Sequence, residues 1–488
     1  MSSYRTIIYA AILIRLIAAF FSPGYGMHDD HFLVIEASGS WVDGYDYNHW
    51  LPWSPGSRGV PEGHSFTYVG LNFIFFYLAK AIGITSPMTL MLINRIIHAL
   101  FSVLVVYFGI KIVDHLSHRR NAVIVGWLLA CTWLLPFLSV RNLVELVCVP
   151  FILWGLWLII RKAKLIHFLW AGLLLGFAVS IRYQVGVFAL GLAAVLFFQW
   201  KFKEFILFCL GVLLMFGLTQ GIVDYMIWGY PFAEFIGYST YNMNEGTEYI
   251  PNDNYFMYLL VLMGAFLVPL GVLLGIGFFR SWKKYAIIFV PTICFILFHS
   301  FYPSKQERFI MPVLATFLIL GVLGYEELRK RNFWEKFWKV SIKIFWVINI
   351  PLLLLASLTY SKKSRVETMN YFFENDIVPD RMLLEGTGES DIPMLPYFYG
   401  GFWRRGDVPR RDPNLPLLVY ENYYYDYVVF FGEQDLELRV NNYREIYPEI
   451  ERVKICDPSM VDKFLRWLNP RNANEYIEIW RTNAPKES

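Results

Sequence analysis

The chain is cut into apolar runs long enough, or nearly so, to cross a bilayer, whose hydrocarbon core takes about 20 helical residues. They are residues 4–21, 89–113, 121–138, 143–160, 166–181, 185–200, 204–222, 255–279, 284–301, 309–324 and 340–359. In lipid every backbone polar group must be satisfied within the segment, so runs of this kind fold as helices. The expected fold is therefore an α-helical polytopic membrane protein, with about 11–13 transmembrane helices. Composition agrees. Of 488 residues, 56% are hydrophobic and 17% charged, whereas soluble domains are about 45–50% apolar and about 25% charged. A net charge of +3 is too small to point to nucleic acid. Cys131, Cys148, Cys209 and Cys294 lie in apolar runs and Cys456 stands alone, so they read as small buried side chains rather than a disulfide framework. The first run has no small-residue cleavage site and is expected to be retained as a span.

Basic residues crowd cytoplasmic connections in membrane proteins. Arg119 and Arg120; Arg161, Lys162 and Lys164; Lys201 and Lys203; Arg280, Lys283 and Lys284; and Arg329, Lys330, Arg331, Lys336 and Lys339 occupy every second connection, and residues 224–254 contain no Lys or Arg. With a cytoplasmic N-terminus, residues 22–88 then form a first outer loop. The apolar piece 65–82 inside it is expected as an interfacial or re-entrant helix, and the tail from Tyr360 lands outside. In that tail, residues 381–384, 417–420 and Tyr427–Phe431 read as strands and Met460–Leu468 as a helix. The expected organisation is a transmembrane region, 1–359, and a small extracytoplasmic α/β domain, 360–488.

The outer connections hold few charges. The first loop has His28, Asp29, Asp30, His31, Glu36, Asp43, Asp46 and Arg58; later outer turns have Arg141, Asn142 and Glu145, then Arg182, then Asp224 with Trp228, Asn242, Asn244 and Tyr249, then Lys305 and Arg308. Arg141, Arg182, Lys305 and Arg308 run against the charge bias. Carboxylates beside cations suit acid/base chemistry next to a phosphate. A carboxylate can take a proton from an attacking hydroxyl, neighbouring carboxylates raise each other's pKa, and Arg and Lys stabilise a phosphate leaving group. Each element also has a plainer reading: a solvated Asp-Asp pair, or an Arg that caps a helix or snorkels to headgroups. His28, Asp30 and His31 could suggest a metal, but His-x-x-His in a loop is weak support, so no metal ligand is assigned. No CxxC, HExxH, Walker or GxGxxG pattern occurs, and Gly24 and Gly26 read as turn residues. The Tyr-rich segment 423–427 could contact a glycan, although strand packing accounts for it as well.

His28-Asp29-Asp30-His31-Phe32 followed by Glu36 resembles the HPDE-x-F-x-x-x-E signature of glycosyltransferase family 22, the polyprenyl-phosphate-mannose-dependent mannosyltransferases with the GT-C fold. Trp53–Arg58 is similar to that family's W-x5-R-S segment, and Arg95 stands near the start of the next span where the family has an Arg. Asn142 and Glu145 fit its N-x-x-E turn, residues 224–242 its D-x-x-x-Y-G…F-N loop, and Lys305, Arg308, Phe309 and Pro312 its H-K-E-x-R-F-x-x-P motif. Asp29 replaces the signature Pro, His31 its acid, and Ser304 and Gln306 the late His and Glu.

The resemblance implies inverting transfer of a sugar, with mannose favoured, from a polyprenyl-phosphate donor to a lipid-linked glycan or cell-envelope acceptor. It implies Asp30 as general base, Asp29 or His28 orienting it, and Lys305 and Arg308, with Arg182, on the donor phosphate. Glu36, Arg58 and Asp224 complete the expected substrate-binding set. No cofactor is required on this reading, and a divalent metal is possible but not favoured. Membrane lipids are the remaining partner. A bacterial inner-membrane location follows, with site and tail extracytoplasmic. The alternatives are an arabinosyl, other pentosyl or protein O-mannosyl transferase of the same fold, or a lipid-linked-glycan transporter. Transporters show repeated halves and midplane charges, whereas the spans here contain few midplane charges and the halves do not resemble each other.

Overall fold

The computed structural model describes residues 3–161, 164–244, 251–386, 392–403, 410–411, 425–469, 472 and 475–483. Lys162, Tyr249, the expected strand 417–420, and Tyr423 and Tyr424 of the aromatic segment lie outside them. The chain forms two compact units. The first comprises residues 1–20, 49–71 and 95–358; the second comprises 21–48, 72–94 and 359–488. The tail therefore shares its unit with most of the loop that follows the first helix, so the units divide the chain differently from a single cut after residue 359.

The first unit is helical. Among the described residues, five helices are long and apolar enough to cross a membrane: Tyr4–Phe21, Pro87–Leu116, Phe202–Trp228, Glu307–Glu326 and Asn332–Ser357. Shorter apolar helices are Phe66–Ala81, Val144–Ile160, Ile166–Ile181, Val185–Phe198 and Ala286–Phe301. Two expected spans are broken. Residues 255–279 split into Met257–Ala265 and Leu270–Arg280, bent by 120°, because Pro269 has no N–H to continue the helix and Leu267 takes a left-handed φ of 56°. Residues 121–138 split into Arg119–Cys131 and Leu134–Ser139. Pro136 can donate nothing to the Thr132 carbonyl four residues back, and Thr132 turns extended with ψ 128°.

That second break would strand buried backbone groups, and side chains from two other helices occupy them. Asn349 accepts from the Trp133 N–H at 2.8 Å and donates to the Cys131 carbonyl at 2.7 Å. Arg15 donates to the Leu129 and Ala130 carbonyls, both at 3.0 Å, and to Ser102 Oγ at 3.0 Å. Elsewhere, glycines let backbones approach as small residues do in membrane bundles. A Cβ on Gly172 would lie 2.1 Å from the Phe208 carbonyl, and one on Gly211 2.3 Å from the Leu169 carbonyl.

The second unit is built on a five-stranded sheet, order β2-β1-β3-β5-β4: β1 Met382–Glu385, β2 Arg410–Arg411, β3 Tyr427–Phe431, β4 Glu451–Cys456 and β5 Ile477–Arg481. β1 pairs parallel with β2 and β3, while β5 runs antiparallel to β3 and β4. Leu383, Val428 and Phe430 pack with Val440 and Tyr443 of helix Leu436–Arg444 and with Trp480. Helix Lys363–Glu374 packs on β4, β5 and the turn Tyr397–Gly400. The loop after the first helix joins this unit at Gly24, which bridges to Ser361. A Cβ there would stand 1.8 Å from the Ser361 carbonyl and φ is +81°, so only glycine fits.

Candidate active site

In the second unit, the first-loop motif forms a short helix, His28–Phe32, that starts after an extended Met27. Asp30 is its third residue. Its carboxylate accepts the N–H of Met27 at 3.0 Å and of Gly26 at 3.1 Å, satisfying donors that a helix start leaves open. Each oxygen accepts one backbone N–H, which fixes the orientation of a buried carboxylate. Asp29 is half-buried, and His28 is exposed with its ring stacked on Phe32 at 4.6 Å. His31, where the family has an acid, is wholly buried between the rings of Tyr25 and Tyr399, at 4.5 and 5.6 Å. Its Nε2 donates to Glu36 Oε1 at 2.9 Å. Glu36, also wholly buried, accepts the Phe398 N–H at 3.1 and 3.0 Å. Glu36 thus ties the first loop to the turn Tyr397–Gly400, and the exchanged residue His31 is its hydrogen-bond partner.

Behind Tyr25 lies a second charged group. Arg365 donates to Glu475 at 2.7 and 2.5 Å, and Lys362 to the same carboxylate at 2.9 Å. Burial alone would raise the Glu475 pKa, but Arg365 and Lys362 hold it below the usual carboxylate range. Burial pushes the Tyr25 hydroxyl up.

The first unit gathers two of the expected cations around one anion. Glu145 is fully buried; its Oε1 is 3.2 Å from Arg182 Nη1 and 4.0 Å from Arg308 Nε. Arg182 stands at the end of helix Ile166–Ile181, where the chain turns extended. Both guanidiniums lie over the Phe309 ring, at 4.9 and 5.3 Å. Arg308 also donates to Gln306 Oε1 at 2.8 Å. Arg182 Nε and Nη2 are buried and have no hydrogen-bond partner. Two guanidiniums on one carboxylate leave a net positive site with unpartnered donors, an arrangement that recognises phosphate oxygens. Lys305 is buried, donates to the Asn252 carbonyl and lies 5.6 Å from the Tyr255 ring centre. Burial lowers its pKa, with Asp253 opposing. Asn142 donates to Tyr68 Oη at 3.1 Å, and that hydroxyl lies 2.5 Å from His98 Nε2.

The other expected residues sit differently. Arg58 is 80% exposed, 3.7 Å from Glu62. Arg95 donates to the Ala19 carbonyl at 2.8 Å. Asp224 is buried and accepts from Gln220 at 2.7 Å and from the Glu234 N–H at 2.9 Å. Glu234 accepts the N–H groups of Gly63 and His64 at 2.7 and 2.9 Å and Trp228 Nε1 at 2.8 Å. Burial pushes Glu234 up to about 7 despite these donors. The pair anchors loop backbone on both sides. Glu145 fits a motif in sequence, but nothing there places it between Arg182 and Arg308; Glu234 carries no sequence signal at all. A cleft in the same unit has apolar walls that include Phe101, Val105, Leu135 and Met311, with Arg15, His98, Ser102, Ser139 and Arg141 as polar lining. Among the described residues, no three His, Cys, Asp or Glu side chains group to hold a metal.

No curated protein matches the chain significantly. Its fold is similar to ArnT from Cupriavidus metallidurans bound to undecaprenyl phosphate, with TM-score 0.62, 11% identity and 99% of each chain covered. It is also similar to the oligosaccharyltransferase AglB from Archaeoglobus fulgidus in complex with an inhibitory peptide and a dolichol-phosphate, with TM-score 0.51, 12% identity, and 91% of this chain and 70% of that one covered. At such identities the likeness establishes the fold, GT-C. Residues 6–379 match the Alg9-like mannosyltransferase family. The chain is an integral membrane glycosyltransferase that belongs to the Alg9-like mannosyltransferase family.

Proposed function

We propose that this glycosyltransferase moves mannose from a polyprenyl-phosphate donor to a hydroxyl of a lipid-linked glycan or cell-envelope acceptor, with inversion at the anomeric carbon. The observation that carries the reading is the Arg182–Glu145–Arg308 group, in which two donor nitrogens of Arg182 are unpartnered. A phosphodiester oxygen is an acceptor that suits such nitrogens. The fold relatives carrying undecaprenyl phosphate and dolichol-phosphate support a donor of that class.

In the proposed reaction Asp30 removes the proton from the acceptor hydroxyl as that oxygen attacks the anomeric carbon. The bond from that carbon to the donor phosphate oxygen breaks, and polyprenyl phosphate leaves. Arg182, Arg308 and Lys305 stabilise the negative charge that builds on it. Hydrogen bonds donated by the Gly26 and Met27 N–H groups to the Asp30 oxygens keep the carboxylate aimed, Asp29 and His28 flank it, and Glu36 with His31 holds the loop. Cationic side chains supply the positive charge, so the proposal needs no metal. Residues 22–88 form the catalytic loop on this reading, which assigns the site and the tail to the extracytoplasmic face of a bacterial inner membrane.

The test is to reconstitute the purified protein in lipid with a panel of polyprenyl-phosphate sugars and to read the anomeric configuration of the product by NMR. Mannose transfer with inversion is expected; retention, or consumption of a pentosyl donor alone, would overturn the proposal. Asp30→Asn should lower turnover by about 10²–10⁴-fold with folding intact, and near-wild-type turnover would remove Asp30 from the role.

A further inference from the structure

Helix Met460–Leu468 is turned the opposite way from an ordinary surface helix. Such helices put their apolar stripe on the core and their charges in water. Here the sequence Met-Val-Asp-Lys-Phe-Leu-Arg-Trp-Leu segregates cleanly at 100° per residue: Met460, Phe464, Trp467 and Leu468 share one face, and Asp462, Lys463 and Arg466 the other. The apolar face is the exposed one: Met460 is 89% exposed, Trp467 75%, Leu468 57% and Phe464 51%. Asp462 and Arg466 are half-buried, and Lys362 and Glu475 lie near enough to Asp462 to act on its charge. None of the nine residues is buried.

Local bonds define the helix without that face. Ser459 caps its start by accepting the Asp462 N–H at 3.2 Å, and the Leu465 carbonyl at its end accepts from Asn469 N at 3.0 Å and from Asn472 Nδ2 at 2.9 Å. The Phe464 and Trp467 rings stack at 5.7 Å, forming one aromatic plate. Lys463, 60% exposed and 3.8 Å from the exposed Asp457, borders the plate, and the half-buried Arg466 lies on the same charged side.

We propose that this helix is a membrane-surface anchor, which lays Met460, Phe464, Trp467 and Leu468 into the headgroup–acyl boundary of an anionic bilayer. The chain itself carries helices apolar enough to span a membrane, so an apolar phase of the right kind is present wherever the protein is. Nine residues reach about 13.5 Å, too short to span a core of about 30 Å, so the helix lies in the interface plane. Trp and Phe on one side with Lys and Arg on the other is the composition of such helices, and the cations complement anionic headgroups.

The test uses the full chain in nanodiscs. NBD is attached at Phe464→Cys, and separately at Asn441→Cys on the exposed side of helix Leu436–Arg444, in a background with the five native cysteines replaced by alanine. Doxyl groups on the lipid should quench the Phe464→Cys label at least roughly twofold more than the Asn441→Cys label. The difference should grow with phosphatidylglycerol content and shrink in Lys463→Glu/Arg466→Glu. Equal quenching at the two positions would overturn the proposal. So would a blue-shifted label that lipid does not quench and that depends on protein concentration, because a second copy would then cover the face. If the cysteine-free background does not fold, the natural protein and Trp467→Phe are compared in brominated lipid. Loss of a lipid-quenched component of tryptophan emission supports the anchor, and its absence overturns it.

Discussion

Two arginines of the helical unit, Arg15 wholly buried and Arg182 with a side chain 14% exposed, meet opposite surroundings. Arg15 places all three guanidinium nitrogens on partners: Ser102 Oγ and the carbonyls of Ala11, Leu129 and Ala130. The Leu129 and Ala130 carbonyls are open because helix Arg119–Cys131 ends there. Arg182 has an ion pair to Glu145 and two nitrogens with no partner. Burial alone therefore does not distinguish a functional charge from a structural one. An unpartnered buried donor costs about 1–3 kcal/mol, and a site retains that cost where a ligand removes it.

The largest effect is expected where the comparison is broken at Arg182. Arg182→Met should lower kcat/KM for the donor, per folded molecule, by about 10²–10³-fold, the loss typical of removing one transition-state donor, and the melt should fall as well, because buried Glu145 keeps only Arg308 at 4.0 Å. Steady-state kinetics on the folded fraction beside a thermal melt check both halves, and kcat/KM per folded molecule near wild type would make Arg182 structural. Arg15→Met should separate the two readouts. It leaves the Leu129 and Ala130 carbonyls without a donor, for a loss of about 2–4 kcal/mol seen in the melt, and activity per folded molecule should stay near wild type.

Ligand linkage sharpens the same contrast. Polyprenyl phosphate at about 100 times its Kd should stabilise the wild type by about 2.7 kcal/mol. Arg182→Met with Arg308→Met should lose that gain, and Arg15→Met should keep it. A gain retained in the double variant would move the phosphate elsewhere.

The smallest effect concerns Glu234, whose pKa burial raises to about 7. The folded state then binds the proton more tightly than the unfolded one. Stability from this group is present below the ordinary Glu pKa and falls as pH rises from about 4.5 to about 7, by roughly 1–3 kcal/mol. Glu234→Gln should flatten the melt between pH 5 and pH 8, and an unchanged slope would assign it to another group.

Periodicity and turn residues made much of the fold legible. The strand Tyr427–Phe431 and the helix Met460–Leu468 stand at the expected residues, because an all-apolar five-residue run and a clean 3.6-residue segregation are strong local signals. β4, Glu-Arg-Val-Lys-Ile-Cys, was not legible, because it lies at the sheet edge with most of its residues exposed and no buried alternation. The helix breaks at Thr132 and before Pro269 have visible prolines, but hydropathy averages over them.

The sequence by itself determined that this chain is a helical membrane protein with charges sorted by connection, and its motifs were sufficient to indicate the family. These properties reside in runs of neighbouring residues. Which partner each charge meets depends on the tertiary structure. Glu36 meets the Phe398 N–H across 362 positions of sequence, Glu145 comes between Arg182 and Arg308, and Asp224 turns inward to hold the Glu234 backbone. Local pattern specifies that a charge is present. Only the packed chain specifies whether its hydrogen bonds are already satisfied, and that difference separates a scaffold residue from a site.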